Sequence, residues 1–158
     1  MYKELLNLSK LPFENVPDPE FFFDSGGHAR AFQNISSSVD VGRGLMVVGG
    51  PIVSGKTTLS QMIMKEYGKS LNLIWMAEPP NNGMDLLTYL GRELGISPAD
   101  ESRVFLIDEI RSALLDSDNR YLLIIDEAHL MSDEVAGTLK TLSNLRWLTS
   151  RGTVNITA

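Results

Sequence analysis

Gly50, Pro51, Ile52, Val53, Ser54, Gly55, Lys56 and Thr57 satisfy the spacing G-x-x-x-x-G-K-[ST]. Two glycines five residues apart permit a tight turn whose backbone N–H groups face one point, and a helix that starts there presents its positive end to the same point. That arrangement cradles phosphate oxygens. Lys56 supplies the charge that bridges β- and γ-phosphates, and Thr57 supplies the hydroxyl ligand that a phosphate-bound Mg²⁺ favours. The candidate nucleotide-binding residues are therefore Gly50, Pro51, Ile52, Val53, Ser54, Gly55, Lys56, Thr57 and Thr58. Val53 stands where many loops of this kind have glycine, and its β-branch restricts the backbone there. A second acidic constellation, Asp126-Glu127, ends an apolar run. Its carboxylates divide the work: Asp126 with Thr57 holds Mg²⁺, while Glu127 orients and deprotonates an attacking water, with Lys56 as the other catalytic candidate.

Other side chains carry weaker signals. His129 completes the letters DEAH, but a helicase core needs a second motor domain that 158 residues cannot contain, so His129 is read as structural or weakly coupling. Phe13, Phe21, Phe22 and Phe23 either wall an adenine pocket or anchor an N-terminal arm, with Phe13 the candidate adenine contact. Trp75 and Trp147 are read as packing residues, and Arg146 and Arg151 as dipole partners at a helix end or as fingers reaching a neighbouring subunit.

These residues need elements to hold them. The apolar run 45–48 reads as a buried strand, 56–67 as a helix and 71–77 as a second strand, which makes a βαβ unit around the glycine loop. Residues 28–39 place Ala29, Phe32, Ile35 and Val39 at helical spacing, and residues 84–94 form a helix ending at Gly95. Ser97-Pro98 reads as the start of the next helix. Two stretches compete as acidic strand ends, 104–109 and 121–127. Ile107, Ile110, Leu114 and Leu115 continue the first as a helix stripe, whereas the second follows a turn cluster and holds five uninterrupted apolar residues, so the strand is the second. Ser132 caps a helix running to about residue 148, with Asp133 and Glu134 in its first turn and Val135, Leu139, Leu142 and Leu145 as its buried stripe. Gly152 turns the chain into a last strand.

Composition bounds the alternatives. The 158 residues, 43% hydrophobic and 22% charged, suit one globular domain. A net charge of −6 gives no broad basic surface, so DNA is not indicated by charge. Without cysteine there is no disulfide, thiolate zinc site or thiol nucleophile. No apolar run approaches the roughly 20 residues of a membrane helix, and the N-terminus has no signal-peptide pattern, so a cytoplasmic location is expected.

With these residues in place, the chain resembles the AAA+-type ATPases of the ExeA-like group, the ATPase component of the general secretion pathway, whose relatives include helper ATPases of DNA transposition. LPFENVPDPEFFF resembles the group's N-terminal arm and HARAF the helix after it. GGPIVSGKTTL resembles its phosphate loop, LLIIDEAHLMSDEV its acidic strand and following helix, and LKTLSNLR that helix's later turns. The resemblance implies an α/β, three-layer P-loop NTPase with a mainly parallel sheet flanked by helices, lacking the family's C-terminal strand and helical lid. Residues 1–40 would be an arm and helix packed on a nucleotide-binding core of residues 41–158. It also implies Mg²⁺-dependent binding and hydrolysis of ATP to ADP that drives or switches an unidentified protein partner of secretion or transposition type, with oligomerisation through C-terminal parts absent from this sequence. The alternative is a nucleotide-dependent recruitment module with little hydrolysis that binds DNA or a protein. A sheet lacking an edge strand is expected to expose apolar surface near the terminal TVNITA.

Overall fold

The computed structural model describes residues 26–51, 54–96, 102–116 and 119–145, and the backbone of a strand at 153–157. The chain runs α1 (Gly26–Val41), β1 (Leu45–Val48), α2 (Lys56–Tyr67), β2 (Asn72–Met76), α3 (Gly83–Glu93), α4 (Arg103–Asp116), β3 (Tyr121–Ile125), a 3-10 turn (Ala128–Leu130), α5 (Asp133–Leu145) and β4 (Thr153–Thr157). The strands form one sheet in the order β1-β4-β3-β2, and every pairing is parallel. Parallel neighbours need long crossovers, and helices supply them.

Strand β3 shows why two layers of helix are required. Side chains alternate between the faces of a strand, and Leu122, Leu123, Ile124 and Ile125 are all buried. Leu122 and Ile124 pack with Ile35 and Val39 of α1 and Leu59 and Ile63 of α2. Leu123 and Ile125 pack on the opposite face with Leu86, Leu87 and Leu90 of α3, Leu106 and Ile110 of α4, and Val135 and Leu139 of α5. The sheet is thus flanked by helices on both faces.

The helix starts follow local chemistry. Asn82 Oδ1 accepts from the Asp85 N–H at 2.9 Å, and Ser132 Oγ accepts from the Val135 N–H at 3.3 Å, so α3 and α5 begin on side-chain caps. Glu134 Oε1 accepts from the Gly83 N–H at 3.1 Å, and Arg103 donates to Thr138 Oγ1 at 3.0 Å, which ties the starts of α3 and α4 to the first two turns of α5.

Two expectations change, at β1 and in the buried stripe of α4. Strand β1 is not buried on both faces: Leu45 is 41% and Val47 63% exposed. It is an edge strand, and the cluster under α3, α4 and α5 takes residues from β2 and β3 but none from β1. The terminal strand β4 lies between β1 and β3, and the side chains of TVNITA, where apolar surface is expected, lie outside the described residues; among those described, Leu45 and Val47 of β1 are the exposed large apolar side chains of this sheet edge. The described part of α4 starts at Arg103, and Ser97-Pro98 lies outside the described residues. Its buried stripe is centred on Leu106 and Ile110, with Ile107 and Leu114 only partly buried and Leu115 47% exposed. Residues 146–148, Phe13, the three consecutive phenylalanines 21–23, Arg146, Trp147 and Arg151 also lie outside the described residues, as does the Leu145 side chain.

Candidate nucleotide site

Strand β1 delivers the chain to Gly49 and Gly50, and α2 begins at Lys56. Between them, Ser54 N–H donates to the Pro51 carbonyl at 3.2 Å, which folds the loop back on itself. A Cβ on Gly50 would stand 2.9 Å from Ser54 Oγ, closer than real side chains approach. Gly55 turns into α2 with φ +81° and ψ +19°, a left-handed conformation that glycine adopts at little cost. The two glycines of the motif therefore answer two separate demands, close approach and backbone hand. Ile52 and Val53 lie outside the described residues.

Lys56 curls over the loop. Its Nζ donates to the Gly50 carbonyl at 3.0 Å and the Pro51 carbonyl at 3.1 Å, using two of the three ammonium hydrogens. The loop backbone thereby fixes a positive charge above its own mouth. Thr57, one residue into α2, donates its hydroxyl to Asp126 Oδ2 at 2.7 Å. Thr58 follows in the same turn, half-buried.

Asp126 stands just past β3. Its N–H donates to the Met76 carbonyl at 2.9 Å, which prolongs the β2–β3 ladder by one bond, and its Oδ1 accepts from the Glu127 N–H at 2.9 Å. Only 4% of the residue is exposed, so both carboxylate oxygens are spent on defined donors within the fold. Glu127 has φ +51°, among the described residues the one non-glycine in the left-handed region. Such a conformation is strained and is held here by the ladder before it and the 3-10 turn after it, where the Leu130 N–H donates to the Glu127 carbonyl at 2.9 Å. The Glu127 carboxylate is about half exposed, with His129 Nδ1 3.2 Å from its Oε2. The rival acid Glu109 sits within helix α4 and not at a strand end.

The structure thus brings Thr57 and Asp126 into contact from positions 69 residues apart, with Lys56 and Glu127 as their chain neighbours. Thr57 Oγ1 and Asp126 Oδ2 are adjacent oxygen donors, the ligand type that Mg²⁺ takes, and they fit that ion as partial ligands completed by phosphate oxygens and water. No group of three or more His, Cys, Asp or Glu side chains among the described residues could hold a metal by itself. One contact at the loop has no signal in the motif: His28 Nε2 of α1 lies 2.6 Å from the Ser54 carbonyl oxygen.

Comparison with known proteins bears on the family and the fold. The family model for the AAA domain matches residues 39–157. General secretion pathway protein A of Aeromonas hydrophila is 27% identical over 149 residues, which cover 92% of this chain and 27% of that protein, so the chain spans about a quarter of its length. Among solved structures, a DNA replication initiation factor aligns with a TM-score of 0.53 at 17% identity, over 91% of this chain and 42% of that one. AMPPCP-bound DnaA from Aquifex aeolicus aligns with a TM-score of 0.51 at 17% identity and the same coverage. At that identity the likeness is one of fold. No helix among the described residues is long and apolar enough to cross a membrane.

Proposed function

The chain belongs to the AAA domain family, and from that premise we propose that it binds ATP with Mg²⁺ and hydrolyses it to ADP to drive or switch a protein partner. The observation that carries this reading is the 2.7 Å bond between Thr57 and Asp126, which joins the start of the phosphate-loop helix to the acidic end of β3. Backbone N–H groups of the loop's end and the first turn of α2, from Gly55 to Thr58, take the phosphate oxygens, and Lys56 meets the β- and γ-phosphates. Thr57 and Asp126 hold the metal, which when bound neutralises charge that develops on the transferring phosphoryl group. Glu127 accepts a proton from the water whose oxygen attacks the γ-phosphorus as the bond to the β-phosphate oxygen breaks. Phe13 of the N-terminal arm is assigned to the adenine.

The partner follows from the kinship alone. General secretion pathway protein A is a secretion component by name, so the proposed partner is a protein assembly of secretion type, with one of transposition type kept beside it on the sequence resemblance alone. A cytoplasmic setting, where ATP is abundant, fits a chain with no cysteine. Steady-state ATPase measurements on the wild type and Glu127→Gln, beside titration with a fluorescent ATP analogue, test the reading. Glu127→Gln is expected to bind normally and to turn over about 10²- to 10⁴-fold more slowly. Binding without measurable turnover in the wild type would favour a nucleotide-dependent recruitment module, and no binding would end the proposal.

A further inference from the structure

The phosphate loop is held from outside its own motif. His28, in the first turn of α1, places Nε2 2.6 Å from the carbonyl oxygen of Ser54. A carbonyl oxygen only accepts, so Nε2 carries the proton and donates it. The helix behind it is anchored. Ile35 and Val39 are buried against Leu59 and Ile63 of α2, the Tyr67 hydroxyl lies 3.1 Å from the Ser36 carbonyl and 3.0 Å from Asp40 Oδ1, and the Arg120 guanidinium donates to the Val39 carbonyl. The imidazole is thus the tip of an element whose far end is locked into the core.

What it grips decides where a phosphate donor points. The Ser54–Gly55 peptide is planar and trans, so its C=O and N–H point in opposite directions. Holding the Ser54 carbonyl toward α1 sends the Gly55 N–H to the side away from α1. Gly55 is the residue of the loop with φ +81°, and a glycine resists rotation of its flanking peptides less than any other residue. An external hydrogen bond on this peptide removes that freedom before a ligand arrives, and donors fixed in advance need no ordering on binding.

We infer that His28 is a positioning residue of the phosphate loop, which sets the direction of the Gly55 N–H by holding the Ser54 carbonyl and thereby couples helix α1 to phosphate affinity. The inference rests on the nucleotide-binding reading above and extends it to a residue outside the motif. It concerns phosphate alone, so inorganic tripolyphosphate should feel the same change as ATP.

Two substitutions in the full chain separate the donor from the ring: His28→Phe keeps an aromatic ring without the N–H, and His28→Gln keeps an amide N–H donor without the ring. Affinity for a fluorescent ATP analogue is measured with Mg²⁺, and inorganic tripolyphosphate is measured by competition. His28→Phe is expected to weaken both ligands about three- to tenfold, the worth of one hydrogen bond, and His28→Gln to stay near the wild type. Wild-type affinity in His28→Phe overturns the inference, as does equal weakening in the two variants or a loss confined to the nucleotide, which would place His28 at the base or sugar. A wild type that binds neither ligand removes the nucleotide reading and this inference with it. Binding by the wild type with an unchanged His28→Phe removes only the inference.

Discussion

Replacing Asp126 separates what its carboxylate does for the fold from what it does for a metal. The residue is 4% exposed, and its carboxylate accepts from two donors, the Thr57 hydroxyl at 2.7 Å and the Glu127 N–H at 2.9 Å. These donors differ in freedom. The Glu127 N–H is fixed by the backbone, whereas the Thr57 hydroxyl rotates and can accept as well as donate. In Asp126→Asn the remaining oxygen is therefore expected to keep the Glu127 N–H, while the new NH₂ donates to Thr57. Both contacts survive, and the weaker neutral bonds are offset by removal of a buried charge, so stability should stay within about 1 kcal/mol of the wild type. Asp126→Ala leaves both donors without a partner at roughly 1–3 kcal/mol each, lowered where water reaches Thr57, so a loss of about 2–5 kcal/mol is expected. Urea denaturation reads these differences. The functional outcome runs the other way: in Asp126→Asn the group facing Thr57 is a neutral NH₂, which no metal takes, so adding Mg²⁺ should no longer tighten binding of an ATP analogue. The reasoning fails if Asn destabilises as much as Ala, because the two hydrogen bonds would then not be the source of stability. It also fails if Asp126→Asn keeps the full Mg²⁺ enhancement.

Three further outcomes are expected. Lys56→Ala removes the charge above the loop and should weaken Mg·ATP binding about 10- to 100-fold by fluorescent-analogue titration with the fold intact, equal affinity being the refuting result. Gly83→Ala should cost about 1–3 kcal/mol in urea denaturation, because its Cβ would stand 2.5 Å from Thr138 Oγ1 and 2.9 Å from Arg103 Nη1; unchanged stability would show that the junction of α3, α4 and α5 yields. Burial raises the Tyr67 hydroxyl above its ordinary 10.0, so the unfolded chain releases this proton at lower pH than the folded one and stability should fall as pH rises past about 10. Tyr67→Phe should lessen that alkaline fall, as measured by denaturation at a series of pH values.

The elements of this fold were legible wherever one residue's surroundings are set by its near neighbours in the chain. The helix at Lys56–Tyr67 and the strand at Tyr121–Ile125 follow from their local residue patterns, and the choice between two acidic segments followed from helical spacing in one and an uninterrupted apolar run in the other. Strand order is a different kind of fact. Residues 45–48 form an unbroken apolar run, as do 121–125, yet one lies at the sheet edge and the other in its interior. Nothing within four residues distinguishes an edge from a centre, because that depends on where β4, more than a hundred residues from β1, inserts.

The candidate site divides along the same line. A phosphate loop is a local device: its glycines, lysine and threonine lie within eight positions, and the contacts of Gly50, Gly55 and Lys56 are satisfied inside that window, while Thr57 reaches out of it to Asp126. Asp126 was legible because a carboxylate at the end of a buried strand is chemically conspicuous before its partner is known. His28 was not. A histidine at the start of an amphipathic helix has no distinguishing pattern, and its contact with Ser54 spans 26 residues and depends on how α1 packs against α2. Its hydrogen bond is made to a backbone carbonyl, which every residue possesses, so even the identity of Ser54 carries no trace of the pairing. Side chains that act on backbone groups far away in the chain are in this sense invisible to motif reading, whereas a local cap such as Ser132 is not. If His28→Phe loosens tripolyphosphate while His28→Gln does not, such backbone-directed contacts around the loop become the place to look for what tunes one phosphate loop against another with the same letters.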